Sequence, residues 1–275
     1  MKKLILGLAL IASVIVSAQK EKGAYVSLNA GYGIGASNNS GETFARWGVV
    51  NNSQTSPANQ IIELADVNLG KGLNFGATFG YMFNKFVGAE LGVNYFLGGK
   101  SDARQSDLSG DFADTEVYAK MLQLKPTLVI SGGFSKINPY AKFGLIIGAA
   151  ANVTIENTGV TSTGTFASKQ EFTGSSPIGF HGGAGLLYSL NNKISIFGEL
   201  NVNNLNFSPK EAAITELTFN GVNLLPLSDK EDIEIEFVDS VDSAAISVPT
   251  APRKEIKTTF NMSSLALNFG VRYSF

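Results

Sequence analysis

The sequence predicts an all-β fold: an eight-stranded antiparallel up-and-down β-barrel that spans a membrane, with short turns at one end and long loops at the other. Three observations predict it. Eight segments alternate between apolar and small or polar side chains, which is the period of a β-strand and not of a helix. The connections between these segments are alternately short and long. Beyond the first twenty residues, no run of about 18 apolar residues offers a membrane-spanning helix.

The composition excludes several classes of protein. The 275 residues include 44% hydrophobic and 16% charged residues, with 30 Gly, 19 Phe and 8 Tyr. Soluble domains carry roughly 25% charged residues, and disordered chains lack this aromatic content. The chain has no cysteine, which excludes disulfides and thiolate metal sites. Its net charge of -2 argues against nucleic-acid binding, and no nucleotide-binding or zinc-protease motif is present, so no cofactor is predicted.

The N-terminus predicts a secretory signal peptide over residues 1–18. Lys2 and Lys3 form a basic start, an apolar run follows, and Ala18 ends the small residues at the expected cleavage site. The apolar run is shorter than the roughly 20 residues that a transmembrane helix needs. Residues 19–275 are therefore expected to form the exported barrel domain.

Each alternating segment places large apolar side chains on one face and mostly glycine, serine or asparagine on the other. In the first segment, for example, Val26 and Leu28 flank Ser27. The segments as bounded below are 9 to 11 residues long, and a tilted strand needs about 9–11 residues to cross the hydrocarbon. Lys120 is the one charged residue on the apolar faces, at a strand end where its long side chain can reach the interface. The eight segments are residues 24–34, 73–83, 87–97, 121–130, 141–149, 180–190, 194–202 and 265–275.

The connections predict which end of the barrel faces outward. Residues 84–85, 132–137 and 191–192 are the short turns, and both chain termini lie at their end. The long surface loops are expected at residues 37–71, 98–116, 157–177 and 209–259. In transmembrane barrels of bacterial outer membranes, short turns are periplasmic and long loops are extracellular. A lipocalin-type soluble barrel is the alternative, and it would need the apolar face inside.

The 209–259 loop has a pattern of its own. Residues 232–238 alternate, and Asn220-Gly221 is a hairpin turn signal, so this loop either projects as a hairpin or adds strands to give ten. It is rich in acidic residues without the spacing of an EF-hand, so solvated carboxylates are expected and Ca²⁺ binding is the alternative. The acidic residues are Asp229, Glu231, Asp232, Glu234, Glu236, Asp239 and Asp242.

The polar faces carry charges that are expected to point into the barrel interior. An eight-stranded barrel is just wide enough to be filled by side chains, and buried charges are costly unless they are paired. These residues are therefore predicted to form a lumen charge network that plugs the pore, and a selectivity lining of a channel is the alternative. They are Glu90, Lys125, Lys142, Glu199 and Arg272.

His181 is the only histidine, and the alternation points it inward near the outer end of its strand. Outer-membrane enzymes use a histidine with serine or carboxylate partners, but spacing alone recovers no such grouping here. A hydrogen-bonded lumen histidine is therefore expected, and no catalytic residue is predicted.

Three features together resemble the small OmpA/OmpX-type outer-membrane β-barrel family: the signal peptide, the eight alternating segments and a final strand that ends at Phe275. The resemblance covers the mature chain and implies that the last strand carries the assembly signal read by the barrel-assembly machinery. Pro126, in the middle of a strand, departs from the pattern and predicts a local bulge. No peptidoglycan-binding domain is expected after the barrel. The assembly-signal residues are Leu267, Phe269, Val271, Tyr273 and Phe275.

The resemblance implies a monomeric protein of the outer membrane, with periplasmic termini and extracellular loops. Its surroundings would be outer-membrane lipid and lipopolysaccharide, and the loops would carry any contact with an extracellular ligand. The expected role is structural or adhesive, with a plugged lumen. A narrow diffusion porin is the first alternative, and a barrel hydrolase is the second.

Overall fold

The computed structural model describes residues 22–36, 41–56, 59–242 and 248–275, and β-strands dominate it. The signal peptide expected at 1–18 lies outside the described residues. In chain order the strands are β1 (Gly23–Gly35), β2 (Val50–Ser56), β3 (Asn59–Leu64), β4 (Gly72–Met82), β5 (Val87–Gly98), β6 (Ser101–Ser106), β7 (Phe112–Ser131), β8 (Ile137–Thr161), β9 (Gly164–Thr173), β10 (Ile178–Ser189), β11 (Ile194–Asn204), β12 (Asn206–Phe207), β13 (Glu211–Phe219), β14 (Val222–Asn223), β15 (Glu234–Val238), β16 (Arg253–Ile256), β17 (Phe260–Asn261) and β18 (Ser264–Ser274). The helices are α1 (Gly41–Ala45), α2 (Lys230–Ile233) and a 3₁₀ turn at Leu225–Leu227.

Eight antiparallel strands form a closed ring in the order β1, β4, β5, β7, β8, β10, β11 and β18, and β18 returns to β1. Each of the eight alternating segments coincides with one of these strands, and three of them extend one residue beyond it, at Phe83, Leu190 and Phe275. Closure pairs both edges of the ring strands, apart from short gaps at Lys125–Pro126 of β7 and at residues 149–152 of β8. Among the described residues, no helix is long and apolar enough to cross a membrane.

The ring directs its apolar faces outward. Leu28 is 68% exposed, whereas the neighbouring Ser27, which points into the ring, is 4% exposed. The same alternation of exposed apolar and buried polar residues recurs around the ring. This orientation is opposite to that of a soluble lipocalin-type barrel, whose apolar face would be inside, and it requires a lipid environment.

The loop end of the ring carries an extension of the same β-sheet. β7 and β8 have 20 and 25 residues, so they continue beyond the ring, and further strands pair with their extensions. We call this structure the loop-end sheet. It contains residues 112–119 of β7 and 151–161 of β8, with β6, β2 and β3 on one side and β9, β13, β14, β15 and β16 on the other.

The segments expected to be surface loops therefore differ from that expectation, because all four contain strands. β2 and β3 lie in 37–71, β6 in 98–116, β9 in 157–177, and β13 to β16 in 209–259. The extended β7–β8 pair offers two edges on which these segments pair. Apart from β15, where Ile235 and Phe237 are buried in alternation, these strands lack the regular alternation that marks the ring strands.

Within the 209–259 segment, the Asn220-Gly221 turn forms as the sequence predicts. Asn220 and Gly221 have φ values of 47° and 78°, which places both in the left-handed region required by a tight hairpin turn. They join β13 to β14, and β13 pairs with β9. In the described chain these strands belong to the loop-end sheet and not to the ring, which differs from the ten-strand alternative.

A hydrophobic core, which we call the cap core, lies between the loop-end sheet and the end of the ring. Trp47 packs edge-on against Phe172 at 5.0 Å, and Phe260 lies 5.2 Å from both Phe44 and Phe172, measured between ring centroids. The fully or nearly buried members are Phe44, Val49, Ala65, Val67, Leu69, Phe96, Ala103, Val117, Ala119, Met121, Ile146, Ala151, Val153, Ile155, Phe172, Leu205, Phe207, Ala212, Ile235, Phe237, Phe260 and Met262.

The strand β7 does not bulge at Pro126 as predicted. Its register with β5 is continuous through Leu91↔Pro126, and on the β8 side Lys125 and Pro126 have no partner residue. Proline has no N–H to donate, so the ladder loses pairing there without changing register. The bulge lies instead in β8, where Ala149 is passed over in the pairing with β7.

Candidate functional site

The ring interior is filled in layers, and the glycines on the inward face provide the room. A Cβ on Gly185 would lie 2.6 Å from the Tyr140 ring, too close for any side chain. At the turn end, Val129, Tyr140 and Phe197 form a small apolar cluster with Leu187 against it. Toward the loop end follow a charged layer and an amide layer, and then the cap core. The charged layer contains Glu90, Lys142, Glu199 and Arg272, and the amide layer contains Asn29, Asn74, Asn94 and Asn268.

Lys142 holds the centre of the charged layer. Its Nζ lies 2.9 Å from Glu90 Oε2 and 2.8 Å from Glu199 Oε2, and all three side chains are buried. The Asn201 side-chain amide donates a hydrogen bond of 2.6 Å to Glu199. One lysine thereby neutralises part of two carboxylates, as buried charges require.

Arg272 adds a second cation to Glu90. Its Nη2 donates to Glu90 Oε1 at 3.2 Å, and the Tyr25 hydroxyl donates to the same oxygen at 2.6 Å. The guanidinium also lies over the Tyr25 ring, 4.0 Å from the ring centroid, which is a cation–π geometry. Tyr25 is a member of this cluster that the charge pattern alone did not identify.

Four of the five charges singled out from the sequence meet in this layer, and Lys125 does not join them. Within the described residues, the Lys125 side chain forms no ion pair, although it faces the same interior. Glu199 and Arg272 lie on neighbouring strands but do not pair with each other. The register sets Arg272 opposite Ser195, four residues from Glu199, so the two charges differ in depth.

Asparagines form the amide layer above the charges. Asn74 donates to the side-chain oxygen of Asn268 at 3.0 Å, and Asn94 donates to that of Asn29 at 3.4 Å. These bonds join inward side chains of neighbouring or nearby strands. The sequence showed amides on this face, but their partners depend on register, which alternation does not specify.

Two small cavities remain inside the ring. The first has a volume of about 40 Å³ and is bordered by the charged layer and His181, and the second has about 20 Å³ beneath the cap core. Lys125 and Asn268 line both. Cavities of this size hold a few water molecules.

His181 points into the first cavity, as the alternation predicted. Its Nε2 lies 2.8 Å from Thr127 Oγ1 in a buried hydrogen bond. Among the described residues, no carboxylate forms a hydrogen bond or ion pair with this imidazole. The triad geometry needed for a serine hydrolase is therefore not assembled around His181.

The remaining residues singled out from the sequence lie on surfaces. The residues of the predicted assembly signal, four on β18 and the C-terminal Phe275, point outward. They alternate with buried residues such as Asn268 and Arg272. In the acidic segment, Lys230 pairs with Glu234 at 3.2 Å and Lys257 with Asp239 at 2.6 Å. In the part of the chain that the structure describes, no three acidic or histidine side chains are placed to share a metal ion.

One partly buried polar pair stabilises the loop-end sheet outside the ring. The Tyr118 hydroxyl donates to Glu156 Oε1 at 2.7 Å, across the β7–β8 pair. Burial, followed by the hydrogen bond to the Glu156 carboxylate, raises the pKa of Tyr118 to about 12. Both effects favour the neutral hydroxyl, which can donate, over the phenolate.

Comparisons with known proteins give one matching family model and several similar solved structures. A family model described as "Outer membrane protein beta-barrel domain" matches residues 4–224. Among solved structures, the chain is similar to Neisserial surface protein A (NspA), with 13% identity, a TM-score of 0.39 and coverage of 92% of this chain and 97% of that one. It is similar to OprG from Pseudomonas aeruginosa, with 15% identity, a TM-score of 0.46 and coverage of 93% and 97%. It is also similar to Ail of Yersinia pestis, with 9% identity, a TM-score of 0.35 and coverage of 94% of this chain and 100% of that one. No curated protein matches the chain.

Proposed function

The chain belongs to the outer membrane protein β-barrel domain family, and from this premise we propose that its ring spans the outer membrane as a closed, non-conducting eight-stranded barrel. The barrel would anchor the loop-end sheet at the cell surface, with the chain termini in the periplasm. The role that we propose is structural or adhesive.

The observation that carries this proposal is a lumen filled at two levels. Lys142 bridges Glu90 and Glu199 across the interior, and the spaces left beside them are about 40 and 20 Å³. Above them, the cap core covers the loop end with packed aromatic rings such as Phe172 and Phe260. An ion would have to break buried ion pairs and then displace an apolar core, and each step is costly.

The loop-end sheet supports the surface role. It is built on extensions of two ring strands, so the barrel holds it rigidly above the membrane. β3 ends this sheet with every residue exposed, including Ile61, Ile62 and Leu64. A free strand edge with exposed apolar side chains is a surface on which another protein can add a strand. We propose this edge as the contact surface for an extracellular protein ligand.

The conductance of the purified full-length protein in planar bilayers tests the closed lumen. We expect no steady unit currents from protein that shows heat-modifiable gel mobility, the property of a folded barrel. Steady unit currents from the wild type would overturn the plugged lumen and favour the diffusion porin. Because folding is checked in the same preparation, an absence of unit currents cannot result from unfolded protein.

We propose that His181 has a structural role and that the protein is not an enzyme. The cavity beside His181 is too small for a lipid or peptide substrate, and its hydrogen-bond partner is Thr127. His181→Ala is expected to leave lipid and peptide hydrolysis at the background level of the wild type. A hydrolase activity that this substitution abolishes would contradict the proposal.

We also propose that the barrel is a monomer and that the assembly machinery recognises its last strand. The apolar residues that alternate along β18 face outward, where a membrane-embedded partner can reach them. Size-exclusion chromatography with light scattering in detergent tests the monomer, and a detergent-corrected mass of one chain is expected. A stable mass of two or more chains would contradict it.

A further inference from the structure

The wall of the ring has a notch where β8 passes from β10 to β9. β8 pairs with β10 up to Ile147↔Ile178, and it pairs with β9 from Val153↔Phe172 onward. Between these pairs, Ala149 to Asn152 have no partner residue on that side, and residues 173–177 pass around the gap. The groove has a volume of about 530 Å³.

The unpaired backbone of the notch determines its depth in the membrane. Hydrocarbon offers no hydrogen-bond partner, so exposed N–H and C=O groups belong at the level of the lipid headgroups. Tyr95 and Leu122, on the lower wall of the notch, still belong to the outward apolar band. The notch therefore spans the boundary between acyl chains and headgroups, on the extracellular side.

Lys120 supplies a positive charge at this boundary. It is exposed on the outer face of β7, opposite Asn152, and within the described residues it forms no ion pair. Its ammonium lies 5.3 Å from the Tyr118 ring centroid. The Glu171 carboxylate has other partners. Its Oε1 forms an ion pair with Lys169 Nζ at 3.2 Å, and its Oε2 accepts a hydrogen bond of 3.2 Å from the Asn152 side-chain amide. Apart from the contact with the Tyr118 ring, the exposed Lys120 ammonium can therefore bind an anionic group of a ligand.

The rest of the notch is small and polar. The exposed wall positions 149 and 150 are alanines, where a large apolar side chain is more common, so the surface is recessed. A recess that joins an apolar floor to a cation and to unpaired backbone groups matches an amphipathic ligand with an anionic head.

We propose that this notch binds an outer-leaflet lipid with a phosphorylated headgroup. Lys120 contacts the phosphate, the backbone polar groups of Ala149–Asn152 contact the headgroup, and the first part of an acyl chain lies on Ala149 and Ala150 beside Tyr95. This site rests on the proposed transmembrane barrel, because only then does the notch face lipid. The phosphate of the lipid and free inorganic phosphate share the chemistry that Lys120 recognises.

Native mass spectrometry of the full-length protein in detergent tests the site, with diphosphoryl lipid A as the probe. We expect one lipid A to remain bound to the wild type, and Lys120→Ala to weaken its binding roughly tenfold, as expected for loss of one charged hydrogen bond. Ala150→Phe fills the recess without changing the charge and is expected to weaken binding similarly. Inorganic phosphate at the same concentration is expected not to displace the lipid.

Lys136→Ala and Ala184→Phe are the matched controls. Lys136 lies in an exposed turn at the opposite end, and Ala184 points outward from β10, away from the notch. Both controls should bind lipid A as the wild type does. Unchanged binding in Lys120→Ala, equal loss in Lys136→Ala, or displacement by inorganic phosphate would each overturn the lipid site. Heat-modifiable mobility and conductance of each variant are measured separately, so a misfolded or conducting barrel is distinguished from a lost lipid site.

Discussion

Lys142 and Glu90 form a buried ion pair of 2.9 Å across the ring interior, although β7 separates their strands β8 and β5. Lys142 reaches Glu199 on β11 at the same time, and Glu90 reaches Arg272 on β18. The charged layer therefore links four strands that are not all neighbours. Such contacts restrain the shape of the ring in a way that the strand ladders alone do not.

Lys142→Met is expected to destabilise the barrel. The substitution keeps most of the side-chain volume but leaves Glu90 with Arg272 alone and Glu199 with no cation. Removing one partner of a buried ion pair typically costs about 3–5 kcal/mol. The free energy of unfolding, from urea titration of the refolded protein in lipid vesicles, measures the loss.

Lys136→Met is the control for this substitution, since it makes the same chemical change on an exposed turn residue. It should change the free energy of unfolding by less than about 0.5 kcal/mol, as surface substitutions usually do. Equal stability of the two variants would show that the charged layer does not contribute to stability in the way that its geometry indicates.

Phe260→Ala is expected to loosen the cap core and leave the ring folded. Phe260 is fully buried between Phe44, Phe172 and Phe207, and truncation of a buried phenylalanine typically costs about 3–5 kcal/mol. We expect faster proteolysis of the loop-end sheet in intact vesicles, with unchanged heat-modifiable mobility of the ring. Phe134→Ala, at a turn residue that is 64% exposed, should change neither. Loss of heat-modifiable mobility in Phe260→Ala would show that cap and ring unfold together.

The ring strands could be predicted from sequence because the membrane imposes a regular signal. Hydrocarbon requires an apolar residue at every second position, as at Val26 and Leu28, and that period marks both the strand and its outward face. The same alternation placed Glu90, Lys142 and Arg272 in the interior. Which of them pair depends on the stagger between strands, and Arg272 meets Ser195 and not Glu199 across the β11–β18 ladder.

The loop-end sheet and the cap core could not be predicted in the same way. Phe44, Phe172 and Phe260 lie far apart in segments rich in polar residues, and no period connects them. Outside the membrane, water satisfies exposed backbone groups, so a strand there needs no continuous apolar face. Two local signals were present: the Asn220-Gly221 turn, whose backbone conformation restricts which residues fit, and the alternation of residues 232–238, where β15 lies.

The Tyr118 hydroxyl is expected to make the loop-end sheet sensitive to alkaline pH. Its pKa is raised to about 12, whereas an unfolded tyrosine ionises near pH 10. The stability that Tyr118 contributes is therefore fully present below about pH 10 and is lost as the pH rises toward 12. Spectrophotometric titration at alkaline pH should show a tyrosine that ionises near pH 12 and that is absent in Tyr118→Phe.

Glu156→Gln separates the two causes of this shift. It removes the carboxylate but keeps a hydrogen-bond acceptor, so the pKa of Tyr118 should fall while burial still holds it above its ordinary value. Glu211→Gln, which removes a carboxylate elsewhere on the same sheet, should leave the titration unchanged. An unchanged late ionisation in Glu156→Gln would mean that burial alone accounts for the shift.

Leu28→Arg is expected to disrupt membrane insertion, and Ile62→Arg is not. The two residues are similarly exposed, at 68% and 62%, but Leu28 is at the middle of the ring wall and Ile62 is on the loop-end sheet. An arginine at the bilayer midplane of a barrel costs about 2–4 kcal/mol, whereas an exposed arginine in water costs little. Folding into lipid vesicles, followed by gel mobility against urea concentration, should show reduced stability for Leu28→Arg alone. Equal behaviour of the two variants would mean that the outward apolar face of the ring does not contact lipid, and the membrane-spanning arrangement would be wrong.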